Sequence, residues 1–129
     1  WNRVGTPVVY LASHRSLAVL EVLANLERTD ALAGFVFVEV RFDERLIERL
    51  EAKRLPAHWR RPEPPSALAR LGAAWAAEAR SLLLEVPSAV VPPETNLVLN
   101  PRHPAARQVE IGEPEPFDLD PRLLEAASS

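Results

Sequence analysis

Between Leu84 and Pro104 the chain reads Leu-Glu-Val-Pro-Ser-Ala-Val-Val-Pro-Pro-Glu-Thr-Asn-Leu-Val-Leu-Asn-Pro-Arg-His-Pro. Proline fixes φ and has no backbone N–H, so neither a helix nor a long central strand runs through this stretch. It has to fold as short extended pieces joined by ordered turns. Ser88, Asn96, Asn100 and His103 are set among its apolar residues. Small polar groups held in a stiff apolar frame are how a site is built, and a plain solvated surface does not need them.

A chain of 129 residues, 47% of them hydrophobic, is long enough to close one core. We expect a single domain over residues 1–129 that begins inside a longer protein. Lys and Arg number 15 against 18 Asp and Glu, interspersed, for a formal net charge of -3. There is no basic stripe for tracking phosphates, which argues against nucleic-acid binding by this chain alone. The lack of cysteine excludes disulfides, zinc–thiolate sites and thiol nucleophiles together. No apolar run approaches the roughly 20 residues needed to cross a bilayer, and no signal-peptide pattern opens the chain. The expectation is a cytoplasmic protein without a membrane partner.

Short strands and helices follow one another along the chain. Residues 7–12 form an apolar run after Gly5 and predict a strand, with Ser13 placed to cap a helix over residues 14–28. The middle of that helix, residues 17–26, is apolar nearly all round, as in a helix packed on more than one side, yet Glu21 lies inside it. Residues 35–42 are β-branched and aromatic and predict a strand, with Glu39 and Arg41 marking one face. Asp43 then predicts the cap of a short helix through Leu50, and the Glu48, Arg49, Glu51, Lys53, Arg54 cluster its solvated end. The proline-broken residues 55–65 predict an ordered excursion. Ser66 opens a helix with Leu68, Leu71 and Trp75 on one stripe, ending near Arg80. Further strands are expected at 81–86, 96–100, 109–111 and 117–119, a helical turn at 104–107, and a frayed end from residue 126. This order predicts an α/β or α+β fold, a compact mixed sheet with flanking helices.

Glu21 is the leading catalytic candidate. A carboxylate on a mostly buried helix must find donors or hold its proton more tightly, and both situations concentrate at functional sites. The alternative is an angular gap through which Glu21 reaches water or an arginine. Tyr10, the only tyrosine, lies in the strand just before and offers a ring face and a hydroxyl to a ligand. A core tyrosine bonded to a backbone carbonyl fits the pattern equally well. Ser88 follows a proline at a strand end, where a hydroxyl suits ligand binding or a turn cap. A nucleophilic serine needs a base, and neither a nearby histidine nor a Gly-x-Ser-x-Gly elbow is present. Asn96, Asn100 and His103 predict a loop held by side-chain hydrogen bonds, a structural role. His14, His58 and His103 lack metal-ligand spacing, so no metal is expected. Trp1, Trp59 and Trp75 read as core or loop anchors. Without a Gly-rich phosphate loop or a dinucleotide fingerprint, P-loop nucleotidases and Rossmann dehydrogenases are excluded.

Taken in order, Trp1-Asn2, Gly5, Tyr10, Leu17-Ala-Val-Leu-Glu21, Val86-Pro-Ser88 and Asn100-Pro-Arg-His-Pro104 resemble the RES domain, the toxin half of bacterial toxin–antitoxin pairs. Each piece alone is weak, the order is specific, and the resemblance runs through nearly the whole chain. It implies a fold similar to ADP-ribosyltransferases and an activity that consumes NAD as substrate, with no true cofactor. It implies that Glu21 is the family's glutamate, Ser88 its serine and Tyr10 its site tyrosine. Glu21 and Tyr10 would then act catalytically, and Ser88, Tyr10, Glu21 and Asn2 would bind NAD. The family's arginine immediately precedes the Trp-Asn pair, and Arg3, on the other side of Trp1, does not match it. The implied partners are an Xre-like helix-turn-helix antitoxin, DNA reached only through that antitoxin, and a second toxin copy within a larger complex. The implied reaction cleaves the nicotinamide–ribosyl bond by hydrolysis or phosphorolysis and arrests growth. ADP-ribosyl transfer to a protein and an inactive antitoxin-docking module are the alternatives.

Overall fold

The computed structural model describes every residue except 27–31, 33, 63 and 129. In chain order its elements are β1 (Val9–Ala12), α1 (Arg15–Asn25), β2 (Val36–Phe37), β3 (Val40–Arg41), β4 (Ile47–Arg49), α2 (Ser66–Glu78), β5 (Leu83–Pro87), β6 (Thr95–Leu99), β7 (Glu110–Ile111), β8 (Glu115–Pro116) and α3 (Pro121–Ser128). The main sheet runs β1-β6-β5-β4, with the first two pairings antiparallel and β4 parallel to β5. Mixed strands with helices outside them give an α+β fold, as the pattern predicts.

Both faces of β5 are covered. Leu84 and Val86, with Val98 of β6, pack against Trp75 of α2 on one face, while Leu83 and Leu99 pack with Leu82 and Ala105 on the other. Each such side chain removed from water contributes about 1.5–3 kcal/mol. The fully buried Trp75 indole donates to Ser81 Oγ at 2.8 Å, and Ser81 in turn donates to the Leu83 carbonyl. The large apolar ring is thereby buried without stranding its N–H. The buried stripe of α2 runs through Leu68, Gly72 and Trp75, and Leu71 turns outward. A Cβ on Gly72 would lie 1.6 Å from the Trp1 carbonyl oxygen, so a side chain there would push Trp1 off the helix.

Several expectations are corrected. Residues 35–42 form two short strands because the pairing slips: Val36 faces Pro116 and Phe37 faces Glu115, but Val40 faces Ile111 and Arg41 faces Glu110. Residues 38–39 therefore stand opposite 112–114, a bulge at Gly112 and Pro114 that breaks the ladder. The last strand is Glu115–Pro116, not 117–119; Phe117 packs against Phe37 with ring centroids 4.8 Å apart. Asp43 does cap, accepting from the Arg45 N–H, but over a single 3-10 turn, Glu44–Leu46. The Arg45 side chain, bonded to Asp43, holds that carboxyl down at about 2. The chain then enters β4, so the expected helix through Leu50 is a strand recruited by β5. Within its charged cluster Lys53 pairs with Glu51, while Arg49 pairs with Glu85 and Glu48 with Arg80 from distant parts of the sequence.

Ser13 does not cap α1. The helix starts one residue later, with His14 at the cap position, and Ser13 Oγ bonds the Thr95 carbonyl at 3.1 Å across to β6. The described part of α1 buries Leu17 fully and leaves Leu20 41% exposed, so it packs chiefly on one side. Residues 27 and 28 of the expected helix lie outside the described residues. A helix that was not expected, α3, is opened by Asp120, whose carboxylate accepts from the Arg122 N–H at 2.8 Å.

Candidate active site

The antiparallel β5–β6 pair is closed by a turn at residues 88–94. Ser88 N–H donates to the Glu94 carbonyl and Glu94 N–H to the Val91 carbonyl, each at 2.9 Å. Pro92 and Pro93 bring no N–H groups that need partners. The Ser88 hydroxyl fills the inside of this turn. Its oxygen accepts from the N–H groups of Val90 at 3.1 Å and Val91 at 2.9 Å. With both lone pairs used, the hydroxyl hydrogen points to Glu21, and Ser88 Oγ donates to Glu21 Oε1 at 2.6 Å. Of the two roles left open for Ser88, ligand binding and turn cap, the hydroxyl fills the turn cap, and it holds the Glu21 carboxylate as well. Ser88 is 0% exposed, so it meets the site only through Glu21.

Asn96 is the second holder of Glu21. Its Nδ2 donates to the same Oε1 at 2.7 Å. Two donors on one oxygen leave Oε2 of the half-buried Glu21 without a partner among the described residues. Sequence reasoning assigned Asn96 a loop role and missed this contact. The available signal was polarity at the wrong place: Asn96 lies opposite Val86 of β5 and two residues from buried Val98, on a face otherwise given to apolar side chains.

Asn100 and His103 do hold the following loop, as expected. Asn100 donates to the Ala76 carbonyl and accepts from the Arg102 N–H, both at 3.0 Å, while His103 Nδ1 accepts from the Ala105 N–H at 3.0 Å. They do not touch Glu21.

Tyr10 is 53% exposed, and its hydroxyl donates to Asn2 Oδ1. Asn2 Nδ2 donates to the Thr6 carbonyl at 3.0 Å, so the Asn2 amide is oriented by the backbone and orients Tyr10 in turn. Partial burial raises the Tyr10 phenol above its ordinary value of 10, and it keeps its proton at neutral pH. A cleft of about 550 Å³ opens beside β1 and the start of α1, with Tyr10, His14, Arg15, Phe37 and Phe117 in its wall. Arg15 closes one side of it, pairing with Glu115 and lying 5.2 Å over the Phe37 ring. Glu21, Ser88 and Asn96 are not part of that wall, and the Glu21 site is located by its hydrogen bonds. Among the described residues no three His, Asp or Glu side chains gather as a metal site, and no helix is long and apolar enough to cross a membrane.

A family model, the RES domain, matches residues 1–120. The chain belongs to the RES domain family. Toxin Res of Yersinia enterocolitica is 36% identical to it over 124 residues, covering 95% of this chain and 82% of that protein. Toxin Res of Photorhabdus laumondii is 35% identical over 98% of this chain and 81% of its own length. The Prs ADP-ribosylating toxin of a Sphingobium species is 34% identical over 98% of this chain and 81% of its own length. As a RES domain the chain is a member of a family of toxins, and the resemblance carried by Trp1-Asn2 through Pro104 is borne out.

Proposed function

We propose that this RES domain degrades cytoplasmic NAD by cleaving the bond between nicotinamide and ribose. The observation that carries the reading is the Glu21 carboxylate, pinned at Oε1 by Ser88 and Asn96 and left without a partner at Oε2 among the described residues. In NAD the nicotinamide is cationic while bonded and leaves neutral, so its departure needs no general acid. Positive charge develops at the ribose C1′ as the C–N bond breaks, and one fixed carboxylate stabilises it. Oε2 of Glu21 is the atom for this role. Water or inorganic phosphate then forms the new bond to C1′; with water, its second proton goes to solvent and the products are nicotinamide and ADP-ribose.

Tyr10 packs against the nicotinamide end in this reading, with Asn2 setting its position. Ser88, buried behind Glu21, contributes to NAD binding by holding that carboxylate. The partner is an antitoxin with an Xre-like helix-turn-helix that covers the Tyr10 and Glu21 region, so its complex with the toxin should bind NAD more weakly than the free toxin does. Equal affinity in the two would count against occlusion.

A second reading, ADP-ribosyl transfer to a protein side chain, draws support from the name of the Sphingobium relative. Mass-spectrometric analysis of NAD incubated with the full-length protein, with and without phosphate and with Glu21→Gln as control, separates the two. Nicotinamide with ADP-ribose or its phosphorylated form, lost in Glu21→Gln, supports NAD degradation. A stable ADP-ribosylated protein supports transfer. Intact NAD in every sample removes NAD degradation and leaves transfer to an acceptor protein missing from the sample, or an antitoxin-docking role, as the better reading.

A further inference from the structure

We infer that Asn96 is a positioning residue for Glu21, fixing which carboxylate oxygen faces the reacting ribose. The inference rests on the NAD reading above for its kinetic consequence, though not for its geometry. Asn96 sits in β6 between Ala12 of β1 and Val86 of β5, neither of which has a side-chain group to bond it. Its Nδ2 reaches Glu21 Oε1 at 2.7 Å, and its Oδ1 is buried without a hydrogen-bond partner among the described residues. A buried amide oxygen left unpaired costs stability, and an apolar residue of similar size would avoid that cost. Among the described residues, the one side-chain hydrogen bond that Asn96 makes is with Glu21. Stability of the sheet therefore does not account for an asparagine at this position, and the carboxylate contact does.

The geometry also explains why two holders are needed. One donor on a carboxylate oxygen still allows the group to turn about its last side-chain bond. Ser88 comes from the β5–β6 turn and Asn96 from β6 itself, and the two converge on Oε1. Both donors stay satisfied only while Oε1 points inward, which directs Oε2 outward. A carboxylate already oriented loses nothing to reorganisation when charge develops at C1′. Asn96 does not touch NAD in this scheme; its effect passes through Glu21.

The test is Asn96→Leu, which keeps the shape and removes the donor, examined by NAD kinetics, thermal unfolding and a crystal structure of the full-length variant. Positioning predicts a kcat lower by about 10²-fold, a KM within a few-fold of wild type, an unchanged or higher Tm, and a Glu21 carboxylate rotated from its wild-type orientation. A kcat within twofold of wild type would overturn the inference, as would an activity loss that follows a fall in Tm. Asn96→Ala guards against a misfit of the leucine and should give the same kinetic loss. If the wild-type protein leaves NAD intact, the functional reading fails on its own, and the crystal structure still decides this one. A Glu21 carboxylate unmoved in Asn96→Leu overturns it.

Discussion

The Ser88 hydroxyl accepts from two backbone N–H groups and donates to Glu21, so its removal has two separable effects. In Ser88→Ala the N–H groups of Val90 and Val91 lose their partner inside the turn. Leaving such groups unpaired costs about 1–3 kcal/mol, read as a lower midpoint in urea unfolding with an unchanged slope. Glu21 loses one of its holders at the same time, and NAD turnover should fall by about 10-fold or more even at temperatures where the variant is fully folded. Unchanged stability would mean that water replaces the hydroxyl. Tyr10 allows a second measurement at this scale because the chain has no other tyrosine. Burial raises its phenol above 10, so absorbance near 295 nm should show tyrosinate forming above that pH in the folded protein. The folded state holds this proton more tightly than the unfolded state does. Its contribution to stability is therefore complete below about pH 10 and is lost as pH rises towards the folded value. A midpoint at or below 10 would show that the ring is solvated and that Asn2 does not orient it.

At the scale of elements, α2 ends at Ala79, which caps it in the left-handed conformation with φ 50°. A residue with a Cβ is strained there, and glycine is not. Ala79→Gly should stabilise the protein by about 1 kcal/mol, seen as a rise in Tm; a fall would mean that the flexibility gained by the unfolded chain outweighs the strain relieved. The elements that were legible in the sequence are those with local punctuation. Proline bounds β5 and β6, and the α2 stripe of Leu68 and Trp75 has helical spacing. Asp120-Pro121 was an equally local signal, a cap followed by proline at the first helical position, and it marks the start of α3, which was not expected. β4 was not legible, because Ile47–Arg49 is a strand only by virtue of β5, more than thirty residues later. The bulge that divides residues 35–42 depends in the same way on Gly112 and Pro114. Glu21 and Ser88 were legible as separate polar residues in apolar settings. Their meeting across 67 residues, and that of Glu21 with Asn96 across 75, has no local spacing to betray it.

For the whole molecule, what matters is how charge is spread. Behind the formal net charge of -3 lie opposite charges set beside one another, as where Arg41 pairs with Glu39, Arg45 with Asp43, Lys53 with Glu51 and Arg122 with Asp120. Pairs this exposed add little to stability, but each removes a cation from any stripe that would follow a phosphate backbone. The proposed antitoxin, with its helix-turn-helix, would then have to supply all the DNA affinity of the complex. Fluorescence anisotropy with labelled duplex DNA tests this directly when the free toxin domain and the complex are titrated over a range of salt. The free domain should show no saturable binding at near-physiological salt, and only the complex should show log K falling steeply with log salt. A slope of about -3 or steeper for the free domain would mean that roughly three or more phosphates are neutralised by the toxin itself. DNA contact would then have to be assigned to a face of this chain, despite its acidic balance, and the antitoxin would no longer be the sole route to DNA.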